Sequence, residues 1–348
     1  MTQAIIDIGD APNDGTGDPA RDAFNKCNNN FTELYAADAA GGGGIATPGP
    51  PQGRLTLQMA TPVMTTTQAA RTTIYYTPYV GNQVPIYDGS GFTMTSIGSE
   101  LSVATTDTTK SPAAIGVSKV NDWFVWNDAG TIRLGHGPDW TSDTVRSAGT
   151  ALVMVNGIWL NNAAITNGPA ASRGTYVGTT CSNASSQLDW IYGAIAAGGT
   201  AGFFGLWNCY NRIRFGSLTG ETTNSWTYAT ATIRAANNSA TMRCSFVYGL
   251  NEEVVNSSYK LAVNSGAAVN GIIGVGLDTT TAFSGFPGWQ ALASNNVSTM
   301  GTYSGSPGLG FHYISANETV STAVSCIFYG DNNNPGLFQG GLTVEIMA

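Results

Sequence analysis

Apolar residues near the start of the chain recur at alternating spacings of four and three positions. The series consists of Ala20, Phe24, Cys27, Phe31 and Leu34. This spacing is the a and d pattern of a coiled coil. Asp18 suits an N-cap, Pro19 suits the first helical position, and the glycines at 41–44 end the pattern. The sequence therefore predicts a helix over residues 18–38, with these five residues as an oligomer seam.

The predicted seam has two alternative partners. Two heptads are only marginally stable in water, so the helix needs another surface to pack against. A glycine- and proline-rich linker at 39–53 separates the helix from the rest of the chain, which favours packing between copies of the chain. The alternative is a single amphipathic helix that lies on its own β domain. Cys27 lies within the seam and is the candidate for an interchain disulfide.

After the linker, the polarity pattern changes to short strands separated by turn residues. In the first half, strands are predicted at 73–76, 83–87, 92–97, 123–126, 131–134, 152–155 and 158–160. Asn156 and Gly157, between the last two, suit a two-residue hairpin turn. In the second half, strands are predicted at 206–215, 225–233, 242–248, 271–277, 310–314, 320–329 and 342–346.

These patterns predict a mainly β protein. An extended N-terminal segment and a short coiled-coil-like helix precede two β-sandwich or jelly-roll-like domains. The expected divisions are an extended docking segment at 1–17, the oligomerisation helix at 18–38, the linker at 39–53, a first β domain at 54–182 and a C-terminal β-sandwich domain at 183–348.

Composition narrows the range of functions. Charged residues make up 10% of the chain, against roughly 25% in an ordinary soluble protein. The net charge is −8, and the 14 Lys and Arg residues are scattered along the sequence. Nucleic-acid binding as a main role is therefore not expected, because phosphate contacts need a basic surface.

Neither a membrane segment nor a secretory signal is expected. The apolar stretch at 191–207 is shorter than the roughly 20 residues of a membrane helix, and its many glycines favour a buried strand with a glycine-rich loop. The N-terminus lacks a basic region followed by an apolar core. The five cysteines form no C-x-x-C pair, so we expect most of them to be buried thiols.

The sequence contains no recognised catalytic motif. His136 and His312, the two histidines, are expected to be structural residues. A glycosidase would need two convergent carboxylates, for which the candidates are Glu252, Glu253, Asp278 and Asp331. The adjacent pair Glu252 and Glu253 is expected in a solvated loop. Asp14 and Asp18 are explained by a turn and an N-cap rather than by a calcium loop. We therefore expect no enzyme activity, and no catalytic, cofactor-binding or metal-binding residues.

Two parts of the sequence resemble bacteriophage tail-fibre and related virion proteins. The first is NDGTGDPARDAF at 13–24 followed by NNNFTELY at 28–35, which is similar to a segment near the N-terminus of those proteins. It departs from the family pattern at Cys27, where an aliphatic residue is usual. The second part resembles fibre-type β modules and comprises IYYTPYVGN at 74–82, IYDG at 86–89, LWN at 206–208, YNR at 210–212, WTY at 226–228 and GLT at 341–343.

The resemblance implies a virion location and a structural, homotrimeric appendage of the fibre or spike type. Residues 1–38 would bind other virion proteins of the portal, collar, capsid or tail, and host attachment through a surface glycan stays open. One alternative is a collar, head-fibre or capsid-decoration protein without receptor binding. A glycan-binding adhesin and a depolymerase are the further alternatives, the depolymerase last. Eight tryptophans could stack on sugars, but large aromatics fill cores first.

Overall fold

The computed structural model describes residues 4–11, 14–39, 48–194, 200–265, 269–290 and 295–348. The chain forms two compact units, Met1–Pro48 and Gly49–Ala348. We call them the N-terminal unit and the β unit. The fold is mainly β, which confirms the predicted fold class. The glycines at 41–44, which were predicted to end the helix pattern, lie outside the described residues.

The N-terminal unit contains one long helix, α1 (Ala20–Ala39), close to the predicted 18–38. Its first turn closes through backbone hydrogen bonds from Asp22 and Ala23 to the carbonyl oxygen of Pro19. The acidic Asp22 in this turn favours the positive end of the helix.

The β unit is built from short strands. In its first part they are β1 (Gly53–Thr56), β2 (Gln68–Arg71), β3 (Thr73–Pro78), β4 (Gln83–Tyr87), β5 (Phe92–Ser96), β6 (Leu101–Ala104), β7 (Val120–Asp128), β8 (Thr131–His136), β9 (Leu152–Val155), β10 (Ile158–Asn161), β11 (Thr175–Cys181) and β12 (Leu188–Ile191). A 3-10 turn at Ala148–Thr150 precedes β9.

In the second part the strands are β13 (Gly202–Phe204), β14 (Leu206–Asn208), β15 (Arg214–Gly220), β16 (Ser225–Tyr228), β17 (Arg234–Ala235), β18 (Arg243–Tyr248), β19 (Val255–Ser265), β20 (Gly271–Leu277), β21 (Gly288–Gln290), β22 (Asn296–Gly305), β23 (Gly310–Val320), β24 (Cys326–Tyr329) and β25 (Gly341–Met347). A 3-10 turn, Ala236–Asn238, follows β17, and a one-turn helix, α2 (Pro335–Phe338), precedes β25.

In the described part of the chain, the strands form four sheets and a separate hairpin. The first sheet has the order β1-β3-β6, and the second has β8-β7-β11-β10-β9 with β14 beside β11. The third has the order β2-β12-β13-β18-β23-β20-β21, with β17 beside β23. The fourth has the order β15-β25-β19-β24-β16, and β22 pairs with the other edge of β19. The hairpin is β4-β5.

The predicted boundary at residue 182 lies inside the β unit. Strand β2 pairs with β12, and β11 pairs with β14, so strands from both sides of the boundary share sheets. One hydrophobic core also draws on both sides. The linker was predicted to run from residue 39 to residue 53. The β unit instead begins at Gly49, and the backbone N–H of Gln52 already donates to the carbonyl oxygen of Gln83.

Local turn chemistry predicts some strands well and others poorly. Asn156 and Gly157 have φ values of 46° and 83°, the left-handed backbone that the predicted two-residue turn requires. The strand predicted at 206–215 is instead two strands, β14 and β15, in different sheets. Asn211 lies between them with φ 57°, which interrupts the extended backbone. Strands β19 and β22 were not predicted.

A buried ion pair connects the two halves of the β unit. Asp122 on β7 is fully buried, and Arg146 donates to it from Nε at 2.8 Å and from Nη2 at 3.0 Å. Trp140 Nε1 and Thr179 Oγ1 donate to the same carboxylate at 3.0 and 2.6 Å. Although burial opposes a charge on Arg146, Asp122 raises the pKa of its guanidinium. Arg146 Nη2 also donates to the carbonyl oxygen of Gly249 at 2.7 Å.

A second buried arginine connects the first strand to the last. Arg54 on β1 donates from Nε to the carbonyl oxygen of Pro62 at 2.9 Å and from Nη2 to that of Ala348 at 3.1 Å. Its Nη1 donates to the carbonyl oxygen of Asn211. Burial lowers the pKa of Arg54 to about 10. The side chain therefore joins three distant segments.

The apolar stretch at 191–207 contributes to strands β12, β13 and β14, and residues 195–199 lie outside the described part. Phe204, Leu206 and Trp207 within it are buried, in agreement with the predicted buried strand. No helix within the described residues has the length and apolar character that crossing a membrane requires.

Candidate functional site

The predicted oligomer seam forms one exposed apolar face of α1. Phe24, Phe31 and Leu34 are 71%, 56% and 53% exposed. Ala20 is exposed, and Cys27 is partly buried. At 100° per residue, these five positions fall within a stripe about 80° wide. The helix thus presents an apolar face of coiled-coil spacing to the solvent.

The segment before the helix folds back along it, which the sequence did not predict. The Asn30 side chain pairs with the backbone of Ala4, accepting from its N–H at 2.9 Å and donating to its carbonyl oxygen at 2.9 Å. Lys26 Nζ donates to the carbonyl oxygen of Ile5 at 2.9 Å. We call residues 4–11 and 14–18 the strap.

Asp18 fastens the other end of the strap. Its carboxylate accepts hydrogen bonds from Lys26 Nζ at 2.5 Å and from the backbone N–H of Asp7 at 2.8 Å. These two contacts differ from the predicted N-cap hydrogen bond between the Asp18 carboxylate and the first turn of α1. The Lys26 ammonium, followed by the Asp7 N–H, lowers the pKa of Asp18.

The strap lies beside the seam and does not cover it. Lys26 and Asn30, which hold the strap, are about 100° around the helix from the centre of the seam. Asp14 closes the turn within the strap by accepting from the N–H groups of Ala11 at 2.6 Å and Thr16 at 2.9 Å, as the turn prediction required. The other residue of that predicted turn, Asn13, lies outside the described residues.

A second candidate site is a groove of about 780 Å³ on the fourth sheet. Three hydroxyl side chains lie in register across strands β25, β19 and β22, since Ser258 pairs with Thr343 on one side and with Thr302 on the other. Paired residues of antiparallel strands point to the same face. Among the described residues, no hydrogen bond to protein is formed by these three hydroxyl groups.

A second row of polar side chains runs beside the first. Asn256 pairs with Glu345 on one side and with Ser304 on the other. Ser304 Oγ donates to Asn256 Oδ1 at 2.7 Å, which leaves the N–H groups of that amide available. Glu345 is 3.8 Å from Arg214, and both side chains are substantially exposed.

An aromatic ring closes one end of the first row. Phe286 forms a two-way backbone pair with Thr302, with both N···O distances at 2.9 Å, so its side chain extends the row. The ring is 84% exposed. Gly285 permits this approach, because a Cβ there would lie 2.0 Å from the carbonyl oxygen of Thr302.

The groove was missed because β19 and β22 were missed. A signal was present in residues 255–265, where apolar or small residues alternate with polar ones and the burial alternates in the structure. The stretch was not recognised as a strand because its serine, asparagine and lysine residues are also common in loops. Phe286 gives no sequence signal, because a single phenylalanine between a glycine and a proline is usually part of a core.

The two histidines are in buried, hydrogen-bonded positions. His136 Nδ1 is 2.7 Å from the carbonyl oxygen of Gly137, and burial lowers the pKa of its imidazole. His312 is 2.7 Å from Asp278 through Nδ1 and 3.2 Å from the carbonyl oxygen of Leu309 through Nε2. A structural role for both residues accounts for these contacts.

The four carboxylates considered for catalysis are in three separate places. Glu252 and Glu253 lie in the loop before β19, as expected, and both pair with Arg212. Asp278 contacts His312, and Asp331 accepts from a backbone N–H in its own turn. Within the described part of the chain, no three His, Cys, Asp or Glu side chains are grouped to hold a metal ion.

The cysteines divide into one partly buried residue and four buried residues. Cys27 is the partly buried one, and Cys181, Cys209, Cys244 and Cys326 are buried, as predicted for most of them. All five lie in the described residues, and none forms a disulfide within the chain. Trp123, Trp190 and Trp207 are fully buried, whereas Trp289 is exposed.

Comparison with known proteins gives no family. No protein-family model matches the sequence, and no curated protein matches it with significance. Two solved structures of Bacillus thuringiensis toxins show weak likeness: the insecticidal delta-endotoxin Cry8Ea1, at 7% identity and a TM-score of 0.20, and a Cry1Da tryptic core variant, at 6% and 0.17. The matches cover 85% and 75% of this chain and 51% and 48% of those chains. At such TM-scores, neither likeness carries an argument.

Proposed function

We propose that this chain is a structural subunit of a bacteriophage particle, an appendage protein of the fibre or spike type. Copies of the chain associate through α1, most simply as a trimer. Residues 1–38 bind other virion proteins, and the β unit is the part displayed. The resemblance of residues 13–24 and 28–35 to the N-terminal segment of tail-fibre proteins supports the assignment to a virion.

The observation that carries the assembly is the exposed seam of α1. Three large apolar side chains, Phe24, Phe31 and Leu34, are more than half exposed on one stripe of a helix. Their 3.5-residue period is the one that lets helices pack along each other for several turns. Other copies of this chain carry the same stripe, so the stripe of one copy can pack against the stripe of another.

The experiment is to image purified particles with this chain labelled, and to measure the mass of the isolated chain by light scattering. We expect label on an appendage and a mass about three times the 36.1 kDa of one chain. Label on the collar or head would instead support a collar, head-fibre or decoration protein. Particles without label, or a monomer at micromolar concentration, would contradict the proposal.

A further inference from the structure

We propose that the groove on strands β25, β19 and β22 binds an uncharged saccharide. The site is made by residues of the β unit alone, so it goes beyond the proposed assembly and does not depend on it. No motif or comparison assigns a ligand to this face. Phe286, Thr302, Ser258 and Thr343 form the principal row, and Asn256 with Ser304 forms the second.

The polar groups suit a ligand with many hydroxyls. A serine or threonine hydroxyl both donates and accepts, and the Asn256 amide offers N–H donors beside them. Three unpartnered hydroxyls in one row can therefore exchange hydrogen bonds with sugar hydroxyls in either direction. Strands about 4.8 Å apart and residues about 7 Å apart along each strand give an array of roughly 10 by 7 Å, the size of one or two sugar rings.

The aromatic ring supplies the second half of saccharide recognition. One face of a pyranose ring carries C–H groups and packs against the flat, apolar face of an aromatic side chain. Phe286 is 84% exposed at the end of the hydroxyl row, so a sugar bound to Thr302 can reach this ring. The backbone pair with Thr302 fixes the segment that carries it.

Size and charge favour this ligand over a protein or an anion. The groove volume of about 780 Å³ is in the range of small-ligand sites. Eleven described residues line the groove, whereas a stable protein interface takes roughly 20–30 residues on each partner. Glu345 is the charged side chain among the described lining residues. The chain also has a net charge of −8, so an acidic sugar would be repelled.

The first test is binding of the full chain to an array of immobilised neutral and acidic oligosaccharides, followed by titration of each hit. We expect hits among the neutral sugars. Phe286→Ala should weaken binding at least tenfold, because it removes the ring and leaves the groove floor intact. Phe338→Ala is the matched control, since Phe338 is 51% exposed and does not line the groove.

The second test removes single hydroxyls without changing side-chain shape. Thr343→Val and Thr302→Val should each weaken the same sugar severalfold, while Thr227→Val, at an exposed position of β16 outside the groove, should not. No binding of any sugar by the wild-type chain would overturn the proposal. So would equal binding by Phe286→Ala and Phe338→Ala, or a change of oligomeric state in Phe286→Ala, which would make this face an interface between copies.

Discussion

The N-terminal unit and the β unit place their apolar side chains in opposite ways. In the β unit, large side chains such as Trp123, Trp190 and Trp207 are fully buried within one core. In the N-terminal unit, Phe24 and Phe31 are mostly exposed. The strap and α1 are joined by hydrogen bonds and one ion pair instead. The β unit therefore buries its own large apolar side chains, whereas the N-terminal unit leaves its apolar stripe exposed. Under the proposed assembly, association between copies would cover that stripe.

The largest expected effect concerns the buried ion pair of the β unit. Asp122→Ala leaves the guanidinium of Arg146 buried without its carboxylate, which costs about 3–5 kcal/mol of unfolding free energy. Urea denaturation of the full chain measures this loss. Asp128→Ala is the control, because that residue is 56% exposed beside Arg133 and should cost less than about 1 kcal/mol. Equal losses in the two variants would contradict the assigned role of the buried pair.

The next effect concerns association through the seam. The double variant Phe24→Ser with Phe31→Ser removes two side chains that each gain about 1.5–3 kcal/mol on burial. Association should weaken at least ~100-fold, measured by sedimentation equilibrium, with the urea transition of the β unit unchanged. Asn29→Ser, on the opposite side of α1, should associate normally. An unchanged association constant in the double variant would show that copies do not meet along the seam.

A smaller effect is the pH dependence of the strap. The Lys26 ammonium lowers the pKa of Asp18 below its ordinary 3.8. The ionised carboxylate therefore stabilises the folded strap fully above pH values near 4, and this contribution is lost as the pH falls through the lowered pKa. Hydrogen exchange at Asp7, corrected for its intrinsic pH dependence, should increase in that acidic range. Asp18→Asn should remove the pH dependence, and a wild-type strap whose protection stays constant there would contradict the assignment.

The smallest effect is chemical and leaves the fold unchanged. Burial raises the pKa of the Cys181 and Cys244 thiols to about 12 and also raises that of Cys209. Cys326 is buried as well. A thiol reagent should therefore modify one cysteine per chain under native conditions in which the chain is diluted to the monomer, and five in urea. Cys27→Ser should abolish the native reaction, and rapid modification of a second cysteine would disagree with this burial.

Cys27 also tests whether the seam is covalent. Its side chain lies in the middle of the seam, where the same residue of another copy would be adjacent in a parallel bundle. After oxidation, a non-reducing gel should show a band above the monomer that disappears in Cys27→Ser. If only the monomer band is seen after oxidation, the Cys27 thiols of different copies are not close enough to form a disulfide.

The sequence predicted the features that depend on neighbouring residues. Asn156 and Gly157 determine their hairpin through their own backbone preferences, and α1 follows from its periodicity and Pro19. The strap was missed because its contacts join Ala4 to Asn30 and depend on side chains that are also common in loops. The groove was missed because its rows form only when β25, β19 and β22 are adjacent, and local patterns do not determine strand order.

The predicted boundary at 182 shows the same limit. The turn residues near it indicate the end of a strand equally well whether the next strand starts a new domain or joins an existing sheet. Residue 188 in β12 pairs with residue 71 in β2, and this choice is made by packing at large sequence separation. Strand positions were therefore more predictable than domain divisions.

The bond from Arg54 to Ala348 has a consequence for the order in which the chain folds. The guanidinium and its acceptor are 294 residues apart in sequence, so the buried cation cannot complete its hydrogen bonds until residue 348 has been synthesised. Contacts of such separation cost loop-closure entropy before they give stabilisation, and they slow folding. The β unit should therefore reach its native state only after translation of its last strand. Nascent chains that lack β25 and residue 348 would remain incompletely folded, because Arg54 would lack one of its three acceptors and strand β15 would lack its paired strand.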